Sequence, residues 1–171
     1  MSPRARFRIA LAIAILSAAG ITVLVVRWFG GPSRASLPAG FESAAATAPF
    51  TGAREVHLSL AGRCVRVAVA DTPALRARGL RGVTDPSPYA GLLFAQRADS
   101  GTPFTMAGVA QPLAIAWYDA HGREIGAARM HPCPRGSDAS CRVYRSPRPY
   151  RLALELPAGS APPPAQLAPC T

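Results

Sequence analysis

The sequence predicts a mainly β domain, a small sandwich or barrel-like fold with one short helix, carried behind an N-terminal transmembrane helix. Three observations predict it. Apolar residues alternate with others over residues 56–60, 65–69 and 150–156, the two-residue period of a strand. The 18 Pro and 15 Gly cut the rest into short apolar runs and turns, which argues against long helices outside the N-terminus. Residues 9–26 are 18 consecutive residues without a charge, about 27 Å as a helix and close to the hydrocarbon thickness of a bilayer.

Bulk composition bounds the function classes. A chain of 171 residues with 49% apolar content can bury one ordinary core with extensions, so it is not wholly disordered. The net charge of +10 comes from Arg alone, since Lys is absent. Residues 1–34 hold five Arg and no acid, whereas the remainder sets 14 Arg against nine acids. That remainder has no block of like charges and no basic stripe interleaved with aromatics, so nucleic acid is not an expected partner.

In chain order, residues 1–8 read as a cytoplasmic N-terminus, because Arg4, Arg6 and Arg8 precede the apolar run and set the bulk of the chain outside. Residues 9–28 read as a signal anchor. The alternative is a cleaved signal peptide with its small-residue site at Ser33-Arg34-Ala35, but the run is long for such a peptide and Arg27 ends it abruptly. The first Cys is Cys64, which excludes a lipoprotein. Residues 29–53, Gly, Pro, Ser, Ala and Thr without a sustained period, read as a flexible tether.

Residues 54–160 form the expected extracytoplasmic β domain. Val56, Leu58 and Leu60, then Val65, Val67 and Val69, flank Ala61-Gly62-Arg63 as a hairpin. Thr72-Pro73 supplies an N-cap and a first-turn proline, and Gly79 stands where a left-handed residue ends a helix of two turns or fewer. Further strands are expected at 91–94, 113–118, 124–130 and 150–156, with 119–122 as a turn. In the last strand Tyr150, Leu152 and Leu154 alternate one way and Arg151, Ala153 and Glu155 the other. Residues 161–171 form a Pro-rich tail.

The ordered set VAVADTPALRARGLRGVTD, GLLF, FTMAGVAQPLAIAWYDAHG, MHPC, CRVY and YRLALELPAG resembles the domain of unknown function 192 family over residues 65–159. The resemblance implies a small β-sandwich or barrel-like domain with an Arg-Gly-Leu turn after its first helix, matched by Arg78, Gly79 and Leu80. Three departures stand out. Thr105 and Ala107 flank Met106 where the family usually has Trp and a basic residue. Ala114 stands where Asp is common. Pro162-Pro163-Pro164 replaces the segment leading into the family's last strand.

The four cysteines are expected to be bridged, because the outer compartment lacks cytosolic reductants. Cys133 and Cys141 close a short turn-rich loop. Cys64 lies opposite the Val65, Val67 and Val69 face, and with the last strand of the family missing, Cys170 is expected to staple an otherwise undocked tail to it. A metal site from His131, Cys133 and Cys141, or a Cys and His nucleophilic pair in that loop, are the alternatives; the spacing fits no zinc motif and a bridge consumes the thiols. His57 and His121 are expected in solvent. Asp71, Asp85, Asp99, Asp119, Glu124, Asp138 and Glu155 read as single carboxylates in turns or on outward faces, with no motif pairing two of them.

Tyr144, Arg145, Tyr150 and Arg151 cluster after the Cys loop, and the family fold would bring Thr105 and Met106 near them. Such an aromatic and Arg surface could bind a sugar or an anionic polymer. The bland alternative puts Tyr150 in the core and the arginines in solvent. The expectation is therefore a noncatalytic binding or envelope-accessory module on the outer face of a bacterial membrane, touching an anionic envelope polymer or a partner protein, with no cofactor or resident metal. The alternative is an envelope-polymer hydrolase whose catalytic residues no motif identifies.

Overall fold

The computed structural model describes residues 34–133 and 140–170. The expected membrane segment at 9–28 lies outside them. Among the described residues no helix is long and apolar enough to cross a membrane.

Among the described residues the strands are β1 (Ser43–Ala45), β2 (Arg54–Leu60), β3 (Arg63–Ala70), β4 (Gly91–Ser100), β5 (Leu113–Tyr118), β6 (Glu124–Met130) and β7 (Tyr150–Pro157), with one α-helix, α1 (Pro73–Arg78), between β3 and β4. They form one seven-stranded sheet in the order β1-β2-β3-β4-β7-β5-β6, with β3 and β4 parallel and every other pair antiparallel. The β2–β3 hairpin turns on Ala61 and Gly62, both at positive φ (49° and 75°), as a two-residue turn matched to strand twist requires. Thr72 accepts a hydrogen bond from the Leu75 amide at 3.3 Å as N-cap, Pro73 opens the helix, and Gly79 at φ 52° closes it. These elements follow the sequence.

Both faces of the sheet are covered. Val56, Leu58, Val67, Val69, Leu93, Leu154 and Leu156 pack on one face, and Ala68, Leu92, Phe94, Ile115, Trp117 and Ala153 on the other. This corrects two expectations. Ala153 and Glu155 do not face solvent; both are buried, because α1 and the segment between β4 and β5 cover that side. Tyr150 does not keep the direction of Leu152 and Leu154. The β4–β7 register slips between Ala95 and Ser100, and at that bulged end Tyr150 joins the Phe94 side.

The chain from residue 34 to 53 is not a tether but part of the same packed unit as the sheet. Ala35, Ala46, Phe50 and Ala53 are buried, and Phe50 stands edge-on to Tyr89 with ring centroids 5.3 Å apart. Buried Asp71 holds this segment by accepting from Arg34 Nη1 at 2.9 Å and Arg54 Nε at 2.6 Å. Glu55 does the same further on: Arg66 and the Tyr89 hydroxyl both donate to its Oε2 at 2.7 Å, and these two donors hold its carboxyl below the usual range.

The tail docks more closely than its composition implies. Leu167 is buried, the Glu124 amide donates to Ala165 O and the Leu167 amide to Gly122 O, both at 2.9 Å. Immediately beyond Leu167, the Ser59 amide donates to Ala168 O at 2.9 Å and the Cys170 amide to His57 O at 3.3 Å. The tail thus links the start of β6 to β2, taking up the β2 edge beyond the stretch that β1 covers. Cys64 and Cys170 are bridged with Cα atoms 5.6 Å apart, and Cys133 and Cys141 with Cα atoms 4.8 Å apart.

Candidate functional site

One cleft concentrates the chemistry. Its volume is about 230 Å³, and it opens between α1 with its exit turn, the outer part of β4, the 102–105 segment and β7. Each wall has a local cause. Arg76 Nη1 donates to Ala95 O at 2.9 Å and fastens α1 to β4. Gly79 lies against Phe94 so closely that an added Cβ would stand 3.3 Å from its ring, which lets the exit turn sit over the aromatic floor. The Tyr150 hydroxyl donates to Thr102 O at 2.9 Å and holds the 102–105 segment onto β7, while Gln96 Nε2 donates to that hydroxyl at 3.4 Å. Phe104 completes the aromatic side, 5.0 Å from Phe94 and 5.8 Å from Tyr150 between ring centroids.

Glu155 closes the bottom. The residue is only 4% exposed and no hydrogen bond to its carboxyl is made among the described residues; its oxygens reach the cleft surface, whereas the side-chain atoms wholly sealed without a partner are Trp117 Nε1 and Ser146 Oγ. Burial alone pushes its pKa up to about 8, so the group is largely protonated at neutral pH. Burial also raises the Tyr150 phenol. Gly91 explains how the Glu155 backbone comes so near β4: any Cβ at that position would overlap the Glu155 carbonyl oxygen. The mouth is basic, with Arg76, Arg78 and Arg81 at the rim. The arrangement therefore offers a neutral acid in an apolar floor, able to donate and to accept, beneath guanidinium groups that attract anions.

Of the residues singled out from the sequence, Thr105 lines this cleft. Phe104 and Tyr144 exchange both main-chain hydrogen bonds at 2.9 Å, so the two expected segments do meet. Met106 and Tyr144 are nevertheless buried, the Tyr144 hydroxyl accepts from the His131 amide at 3.0 Å, and Arg142 covers its ring at 5.3 Å. Arg145 is exposed away from the cleft lining, and Arg151 is paired with Asp99 at 2.9 Å. His57, His121 and His131 are exposed. Among the described residues no three His, Cys, Asp or Glu side chains are grouped to hold a metal.

Sequence reasoning missed Glu155 as a site residue. The available signal was LALEL itself: one acid inside an apolar run, the pattern of a strand buried on both faces. A wider groove of about 510 Å³ lies between β5, β6 and Pro162-Pro163, but small apolar side chains dominate it and Arg129 is its one charged residue.

Comparison with known proteins bears on the fold. A crystal structure of a protein of unknown function from Novosphingobium aromaticivorans has a TM-score of 0.57 at 23% identity, covering 68% of this chain and 82% of that one. A crystal structure of a putative transcription regulator from Sinorhizobium meliloti has a TM-score of 0.55 at 22% identity, covering 67% of this chain and 92% of that one. No curated protein is significantly similar. Residues 56–163 match the family described as uncharacterized ACR, a span holding most of β2, all of β3 to β7 with α1, and Glu155 with the whole cleft, and the chain therefore belongs to the domain of unknown function 192 family.

Proposed function

We propose that this domain is a noncatalytic ligand-binding module of the bacterial envelope, held outside the membrane by its N-terminal segment, and that the Glu155 cleft is its binding site. The observation that carries the reading is Glu155: a carboxyl this deeply buried without a protein partner costs folding free energy, and a ligand supplying the missing hydrogen bonds recovers it. The basic rim makes the ligand anionic, consistent with an acidic envelope polymer or its fragments. The paired cysteines fit an oxidising compartment. Of the candidates named from the sequence, Thr105 belongs to this site; Met106 and Tyr144 are core residues, and Arg145 and Arg151 belong to the neighbouring surface. Titration of the isotope-labelled protein with small carboxylates and acidic oligosaccharides tests it. Amide shifts confined to residues 76–81, 102–105 and 150–155 are expected, and shifts elsewhere, or none, overturn the site.

The raised pKa of Glu155 favours one second reading, hydrolysis of an envelope polymer with Glu155 as general acid. Glycoside hydrolysis by the usual route needs a second carboxyl. Glu155 is the one acid among the cleft's described residues, which places binding first. Release of new reducing ends from acidic polysaccharides, abolished by Glu155→Gln, would reverse that order.

A further inference from the structure

We propose that the cleft takes a single sugar-acid unit, a pyranose ring bearing a carboxylate, with the ring against Phe104, its hydroxyls on Glu155 and its carboxylate on Arg76 and Arg78. This rests on the reading of the cleft as a binding site and names its ligand class.

Size comes first. At about 230 Å³ the cavity falls below the roughly 300–1,000 Å³ of drug-sized sites, so it accommodates one ring and not a polymer chain laid along it. The wall chemistry comes second. Phe104 stands edge-on to Phe94 and tilted to Tyr150, with centroids at 5.0 and 5.8 Å; these two neighbours are buried beneath it, and Phe104 is the partly exposed ring. The negative face of an aromatic ring suits the polarised C–H face of a pyranose. The polar points come third. A neutral carboxyl donates through one oxygen and accepts through the other, which matches adjacent hydroxyls, and the partly exposed Gln96 amide adds a further polar group. At the mouth, Arg76 and Arg78 donate to the carbonyls of Ala95 and Pro49, and a guanidinium has five N–H donors with which to meet a carboxylate as well.

Two competing ligand types fit less well. A bare anion such as acetate or phosphate meets the rim and leaves Glu155 and the rings without contacts. A free amino acid would set its ammonium on Glu155 and require that acid to ionise in an apolar floor, where a buried ion pair recovers its desolvation only with further hydrogen bonds.

The test uses the full chain in a detergent without a sugar headgroup, with galacturonic acid, galactose, acetate, phosphate and glycine as calorimetric probes. Galacturonic acid is expected to bind at least about tenfold more tightly than galactose or acetate, because it alone engages rim and floor together. Arg78→Gln, which leaves the Arg76 anchor of α1 in place, should sharply reduce its advantage over galactose, and Phe104→Ser its advantage over acetate, while circular dichroism stays unchanged. Should the Phe104 variant lose its fold, ring-current shifts of the bound sugar protons in the unaltered protein give the same answer. Acetate or phosphate binding as tightly as galacturonic acid overturns the ring assignment but leaves the binding site standing. Glycine binding more tightly, with proton release, overturns the ligand class. No probe binding in the cleft overturns both readings.

Discussion

Replacing Glu155 by glutamine isolates the cost of keeping a carboxyl at the bottom of the cleft. The acid titrates near 4.5 in an unfolded chain and at about 8 in the folded one. Between those values the folded state binds one proton more than the unfolded state, so stability falls as pH rises. Glu155's contribution is fully present below pH 4.5 and is lost through pH 8. The slope is about 1.4 kcal/mol per pH unit, and over the whole interval the loss reaches at most about 5 kcal/mol. Glutamine has nearly the same volume and does not titrate, so the variant lacks this slope. Urea unfolding of both proteins at a series of pH values is the assay, and their difference cancels every other titrating group. The variant should match the natural protein near pH 4.5 and exceed it by several kcal/mol above pH 8. A difference that stays flat within about 1 kcal/mol across the range would refute the account of Glu155 as a buried, unpartnered acid.

Three further outcomes follow from the packing. Cys170→Ser opens a bridge spanning 106 positions and should cost about 4 to 5 kcal/mol in the chain-entropy model, read as a lower melting temperature and a Cys64 thiol open to reagents; an unchanged melting temperature counts against the staple. Asp71→Asn turns an amide donor toward the Arg34 and Arg54 guanidinium groups and should cost about 2 to 3 kcal/mol, with faster proteolysis at Arg34; equal protection of Arg34 would show that other contacts hold this segment. Gly91→Ala forces β4 away from the Glu155 carbonyl and should cost about 1 to 3 kcal/mol while weakening ligand binding, whereas unchanged stability would mean that the two strands part without effort.

What the sequence made legible was local. The Ala61-Gly62 hairpin, the Thr72-Pro73 helix start and the Gly79 stop depend on residues within a few positions of one another, and each stands where its pattern puts it. The second layer was illegible for the opposite reason. Whether Glu155 meets water depends on α1 and the 102–105 segment, which lie some fifty to eighty residues earlier and carry no pattern that points at β7. The 34–53 segment was misread similarly: its ordering comes from Asp71 and from Tyr89 against Phe50, contacts between residues that look unremarkable in their own stretches. The bridges were legible because four cysteines leave few ways to pair.

The strap formed by residues 165–170 sets an order of events during synthesis. Every strand of the sheet precedes it in the chain, yet the outer edge of β2 at His57 and Ser59 has its partner only in this segment. Until it arrives, a nascent domain presents an open strand edge and an uncovered apolar face where Leu167 will sit, the features by which partly made sheets recruit neighbouring chains. Oxidation of Cys64 with Cys170 after that arrival makes the completed state hard to leave. Premature pairing of Cys64 with Cys133 or Cys141 would trap the open form, so a catalyst that reshuffles disulfides serves this fold better than one that only makes them.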